Sequence, residues 1–316
     1  MEKGYFLSAD NKTNVAYFIF ENKQVKSRAV VQISHGMQDY ILRYGDLIKA
    51  LNNNGIVVCG NDDLGHGYTS VDSSTKGFFA HKDGYKIVVK DLLTTTLIAK
   101  EKYKGLPFIL LGHSMGSFFA RYYAYLYPNQ LDGLILCGTS GKVFGTSLGI
   151  LLLKLVKLLR GEKSYCTTVE NMMLKSYFKY IDRVETKREW VTSDEQKLLE
   201  YANDPKCNFR FTASAYHDML KVLKFVNTNK CVRGMNKELP IYICSGSHDP
   251  VGDYGNGVAK VYKMFEKHKF EDVELKLYKK ARHELHNEQK DIRNEFFNDG
   301  INWVNSVIKN DNAREK

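Results

Sequence analysis

Short apolar runs and longer amphipathic stretches alternate along this chain. The runs are AYFIF near the start, AVVQI at 29–33, IVVC at 56–59, FILL at 108–111, LDGLILC at 131–137, IYIC at 241–244 and VELKLY at 273–278. Each has the length and content of a β-strand. Between them, helical periodicity predicts helices over 40–53, 85–103, 114–127, 256–269 and 292–308. Strands that alternate with helices build a mostly parallel sheet, because each return to the same end of the sheet needs a helix-length crossover, and the helices then cover both faces.

The alternation breaks from Ser140 to about Lys230, where long helical and polar stretches replace short buried strands. The chain therefore divides into a first core part (1–139), an inserted helical cap (140–230) and a second core part (231–316). Length agrees, since 316 residues slightly exceed the roughly 250–300 at which a single core stops growing. An insertion after the carboxyl end of a parallel strand stands where such sheets bind ligands, which favours a cap over a site. Within it, SLGILLLKLVKLLRG (147–161) is amphipathic. Lys154, Lys157 and Arg160 project to one side, and Leu148, Leu151, Leu152, Leu155, Val156, Leu158 and Leu159 to the other. It carries too many charges to span a membrane, leaving two readings: a helix packed only within the cap, or one that also touches a bilayer.

Composition narrows the class. With 43% hydrophobic and 26% charged residues the chain reads as an ordinary globular protein. Lys plus Arg exceed Asp plus Glu by 46 − 36 = 10, but the charges are dispersed and no nucleic-acid motif accompanies them, so no nucleic-acid partner is expected. The opening MEKGYFLSADN lacks an apolar signal core, and the expectation is a cytoplasmic protein. Six cysteines, Cys59, Cys137, Cys166, Cys207, Cys231 and Cys244, are scattered singly. They read as free thiols, and no metal or cofactor is expected.

The chemistry centres on GHSMG at 112–116. It fits G-x-S-x-G between a predicted strand and a predicted helix, a tight turn that projects Ser114 above the sheet; a chance turn containing serine is the bland alternative. A serine hydroxyl attacks only when a base takes its proton and a third group orients that base. In this architecture the partners follow as acid then histidine, each just beyond a later strand. SGSHDPVGDYG offers Asp249, with Asp253 farther into the loop, and KKARHELHNE offers His283, with His286 three residues on. Strand position favours Asp249 clearly and His283 only modestly. Oxyanion donors are expected from the backbone amides of Met115, after the serine, and Met37, in the HGMQDY loop. His35, His66 and His113, each beside a glycine, read as loop-holding residues rather than bases.

HGMQDY, NDDLGHG, GHSMG, SGSHDPVGDYG and ARHELHNE, in this order, resemble the monoacylglycerol lipase and lysophospholipase branch of the α/β-hydrolase superfamily over about residues 10–310. The resemblance implies a sheet of about eight strands, the catalytic set Ser114, Asp249 and His283, and a non-catalytic His286. It also implies a cap over an acyl tunnel, with a cap helix at the membrane. One departure is Leu64, where many bacterial members carry arginine, which puts a local salt bridge in doubt.

The expected protein is a metal-independent serine hydrolase acting through an acyl-enzyme on a lipid-like ester, a monoacylglycerol or lysophospholipid. It is expected in the cytoplasm with peripheral contact at the inner membrane face through 147–161. A short-chain or aryl carboxylesterase, a thioesterase and a serine aminopeptidase are the alternatives within enzymes. A non-catalytic binding protein on the same fold is the alternative outside them.

Overall fold

The computed structural model describes residues 1–314 apart from 71, 175–176 and 182–183, with side chains as far as residue 309. The chain begins with β1 (Glu2–Leu7), β2 (Asn14–Phe20) and β3 (Ala29–Ser34), followed by α1 (Gly45–Asn53), β4 (Ile56–Asn61) and α2 (Gly84–Lys102). It continues through β5 (Phe108–His113), α3 (Met115–Leu126) and β6 (Gly133–Cys137). Five helices intervene before the next strand: α4 (Thr146–Arg160), α5 (Thr167–Leu174), α6 (Glu195–Asn203), α7 (Ala213–Val226) and α8 (Asn229–Arg233). The chain closes with β7 (Ile241–Gly246), α9 (Asn256–Lys267), β8 (Val273–Tyr278) and α10 (Lys290–Arg314).

The eight strands form one sheet in the order β1-β2-β4-β3-β5-β6-β7-β8. β1 and β2 are antiparallel to their neighbours, and the other pairs are parallel. All seven apolar runs are strands. The eighth, β1 (EKGYFL), opens on two charged residues and a glycine and buries none of its residues, which leaves little apolar signal to read; β8, the other edge strand, is legible because valine and leucine alternate with charged residues.

The central strands read as continuous apolar runs because both faces are covered, yet alternate residues serve different cores. Phe108 and Leu110 of β5 pack with α2, α3 and α9, while Ile109 and Leu111 pack with α1 and α10. Each such side chain removed from water contributes roughly 1.5–3 kcal/mol. The predicted helix at 40–53 begins as a tighter 3₁₀ turn, Ile41–Tyr44, before α1. All six cysteines are free and buried.

In the insertion, α4 packs against α7 through a different stripe from the apolar arc projected from sequence. Gly149 and Leu153 face inward, and a Cβ on Gly149 would lie 3.1 Å from Leu220 of α7. Leu148, Leu151, Leu155, Leu158 and Leu159 point outward and are 50–80% exposed. Among the described residues no helix is long and apolar enough to cross a membrane.

Candidate active site

β5 ends at His113, and the chain turns at Ser114 into α3. Ser114 holds φ 54° and ψ −122°, a conformation that costs an L residue on the order of 1–3 kcal/mol. Local hydrogen bonds offset this: its amide donates to the Cys137 carbonyl at 2.9 Å, and its carbonyl accepts from the Ser117 amide at 2.9 Å and hydroxyl at 2.6 Å. The glycines on either side are required for space. A Cβ on Gly116 would lie 2.0 Å from the Ser34 carbonyl oxygen, and one on Gly112 2.6 Å from that of Gly116. The turn leaves Ser114 half-buried in the lining of a cavity of about 530 Å³ that His283 also lines.

Asp249 follows β7 by three residues and His283 follows β8 by five, and the two loops meet. His283 Nδ1 lies 2.9 Å from Asp249 Oδ1, which also accepts the Val251 amide at 2.9 Å; Oδ2 accepts the Ser245 hydroxyl at 2.8 Å. Burial pushes the Asp249 carboxyl up, but the charge and hydrogen bond of His283, with the Ser245 and Val251 donors, hold it below its ordinary 3.8. Burial pulls the His283 imidazole down, and the Asp249 carboxylate more than offsets this, so its pKa lies above 6.5.

The rivals lie elsewhere. The Asp253 side chain is 62% exposed, with Lys260 at 4.0 Å. His286 stacks on Tyr44 with ring centroids 4.2 Å apart, and burial with the adjacent His113 pushes its pKa down to about 3. Met37 and Met115 line the cavity, and among the described residues their amides donate to no protein acceptor.

His35 and His66 do hold loops. The Asp63 amide donates to His35 Nε2 at 2.9 Å, and His66 Nδ1 lies 3.0 Å from the Leu64 carbonyl. Leu64 is 2% exposed in the apolar core, so it needs no ionic partner. His113 Nδ1 lies 3.0 Å from the Tyr44 hydroxyl.

A buried ionic network behind the serine went unread in the sequence. Arg43 donates to both carboxylate oxygens of Glu284, at 2.8 and 2.6 Å, and to Asp39 at 2.8 Å. Tyr44 donates to Asp39 at 2.7 Å. Asp39 and Arg43 are close in the chain, but extended Tyr40 stands between Asp39 and the 3₁₀ turn that carries Arg43, so helical periodicity does not pair them; Glu284, 241 residues from Arg43, carried no local signal at all. Burial pushes Asp39 and Glu284 up, but Arg43 holds both below their ordinary values.

The remainder of RHELHNE ties the His283 loop to the insertion. Arg282 donates to the carbonyls of Glu189 and Thr192 at 2.7 and 2.9 Å, the Glu284 amide to that of Val191 at 2.7 Å, and Glu288 accepts the Arg282 amide at 2.7 Å. The Trp190 ring stands 5.2 Å from that of His283.

Among the described residues, Asp39, His113 and His286 have ligand atoms within 4.8 Å of one another. Asp39 is already held by a guanidinium and His113 by a phenol, and the positive charge of Arg43 opposes a cation there.

Elsewhere the cavity lining combines apolar side chains, among them Phe118, Met173, Leu174, Met219, Leu220 and Leu223, with polar ones, among them Gln38, Glu170, Arg188, Asn208 and Arg210. Arg188 donates to the Gln38 side-chain Oε1 at 3.1 Å.

A strained serine turn on a mostly parallel sheet, with a buried acid–histidine pair at the ends of later strands, defines an ester-hydrolysing serine hydrolase of the α/β-hydrolase fold. Residues 25–290 match the Hydrolase_4 family, described as serine aminopeptidase, S33. The chain belongs to this family, on the monoacylglycerol lipase branch of the superfamily.

A carboxyl esterase from Bacillus coagulans, solved in complex with glycerol, is 32% identical with a TM-score of 0.91, covering 97% of this chain and 98% of that one. A monoglyceride lipase homolog of Monkeypox virus is 26% identical over 283 residues, 89% of this chain and 91% of that protein. The human monoglyceride lipase is 25% identical over 282 residues, 88% of this chain and 82% of that protein.

Proposed function

We propose that the protein hydrolyses single-chain lipid esters, monoacylglycerols or lysophospholipids, at Ser114. The observation that carries the reading is the lining of the serine's cavity: apolar side chains from α3, α5 and α7 together with polar ones such as Gln38, Glu170, Arg188 and Asn208, a mixed surface that suits an acyl chain and a hydrophilic alcohol. Glycerol in the related esterase and the monoglyceride lipase relatives support that alcohol.

In this mechanism His283 takes the Ser114 proton as Oγ attacks the ester carbonyl. Asp249 fixes the imidazole tautomer and stabilises the imidazolium. The amides of Met37 and Met115 donate to the oxyanion, each worth roughly 3–4 kcal/mol in the transition state. His283 then protonates the leaving alcohol, and water, activated by the same base, releases the fatty acid. Residues 140–230 act as the cap. The outward leucines of α4 enter a bilayer, each worth roughly 2 kcal/mol when fully withdrawn from water, and bring the cavity to its substrate.

A panel of monoacylglycerols, lysophosphatidylcholine, p-nitrophenyl esters of graded chain length and an aminoacyl amide tests this. Long-chain monoesters are expected to give the highest kcat/KM; preference for acetate or the amide would overturn it. The pH profile supplies a second test. A base accepts a proton only when neutral, and His283 titrates above 6.5. Activity is therefore expected to fall as pH drops through a limb above 6.5. A limb below that value would separate Asp249 from the base.

A further inference from the structure

Lys154 and Lys157 leave α4 on the flank between its outward leucines and the protein body. Facing them, Lys221 and Lys224 leave α7 about one turn apart. The two rows border an open cleft of about 990 Å³. Its floor is aromatic: Tyr122 lies 5.6 Å from Tyr85 and 5.4 Å from Phe225 between ring centroids. The cleft shares no lining residue with the cavity of Ser114. It does share Leu158 with the exposed stripe of α4, so stripe and cleft are continuous.

The charges in the cleft are unequally satisfied. Lys221 donates to Asp83 at 2.8 Å, and the acid of the cleft, Glu162, keeps its charge while hydrogen-bonded to His81, so the lysines of the cleft outnumber its acid. Among the described residues Lys154, Lys157 and Lys224 have no carboxylate partner. Three unpaired ammonium groups around one concavity repel each other and together favour an anion. The aromatic floor favours an anion that carries apolar groups.

We propose that this cleft binds the phosphate of an anionic phospholipid headgroup, whose glycerol and upper acyl carbons lie against Tyr122 and Phe225. The proposal rests on the reading of α4 as the membrane contact. With the leucines in the acyl region, the adjoining lysine rows stand at headgroup level on one side only, so the bound headgroup fixes the rotation of the cap on the bilayer. An anionic leaflet adds attraction of about 1 kcal/mol per lysine near the surface.

Co-sedimentation of the full chain with phosphatidylcholine vesicles, with or without phosphatidylglycerol, tests it. Wild type is expected to prefer the anionic vesicles. K157Q/K224Q is expected to bind them roughly thirty-fold more weakly, two lysines at ~1 kcal/mol each, with binding to phosphatidylcholine and hydrolysis of a soluble ester unchanged. K263Q/K267Q, the same charge change on α9, is expected to leave binding unchanged. Equal loss in both doubles, or no loss in K157Q/K224Q, overturns the cleft while leaving the membrane reading standing. L151D/L158D is expected to lose both vesicle types, and full retention overturns the membrane reading itself. Lysine-dependent binding of free inorganic phosphate or glycerol 1-phosphate without vesicles overturns the lipid as ligand.

Discussion

Ser114→Ala is expected to lower turnover of a carboxylic ester by on the order of 10⁶-fold, with the fold unchanged. The hydroxyl is the proposed nucleophile, and the conformation that presents it is held by backbone atoms and by Ser117, which the substitution leaves in place. His283→Ala is expected to lose about as much, and the double variant no more than either single one, because nucleophile and base act as a unit. The activity left should still exceed that of water, since oxyanion donors and substrate binding survive. Single-turnover kinetics on a chromogenic ester, with fluorophosphonate labelling read by mass spectrometry, check both. Wild-type turnover in either single variant, or a covalent adduct on a residue other than Ser114, would sink the assignment.

For stability the largest expected effect is that of Arg43→Met. Arg43 is the cation between Asp39 and Glu284, with all three side chains no more than 10% exposed. Removing it strands two carboxylates in the interior, a loss of about 3–5 kcal/mol, a large share of the roughly 5–15 kcal/mol that holds a typical protein folded. The sign with pH follows from the direction of the shifts. Both carboxyls titrate below their ordinary 3.8 and 4.5, so their contribution is complete above those values and lost as pH falls through the depressed ones. Arg43→Met should remove that contribution at neutral pH and flatten the acid limb of stability. Urea unfolding at several pH values measures it, and a neutral-pH loss below about 1 kcal/mol would mean that the network is solvated. Glu284 adjoins His283 in the chain, so the same change is expected to loosen the base.

Much of the fold was legible because a strand buried on both faces must be apolar along its whole length. Strands β2–β7, largely or wholly buried, therefore stood out as apolar runs; edge strand β8 stood out instead by alternating apolar and charged residues, and β1, the other edge, showed neither pattern. The elbow was legible for a related reason: a serine held at positive φ between crossing backbones demands small neighbours, and Gly112 and Gly116 have no room for a Cβ. The choice between His283 and His286 was not legible from spacing alone, since either stands within a few residues of the strand end. Their environments in space separate them, with Asp249 beside one and Tyr44 beside the other.

The α4 helix marks the limit most clearly. Its sequence determined that it would be amphipathic, because side-chain direction along a helix is fixed by periodicity. Which stripe would be buried was decided by α7, which meets Gly149 and Leu153 and leaves five leucines facing outward. The same division holds for the site. The sequence by itself determined the local turn at Ser114 and the short list of candidate acids and bases at the strand ends, since these depend on neighbours in the chain. Only the tertiary structure decided the Arg43–Glu284 pair, the docking of the His283 loop on residues 189–192, and the facing lysine rows. Each joins residues far apart in sequence, and no local periodicity records such a contact.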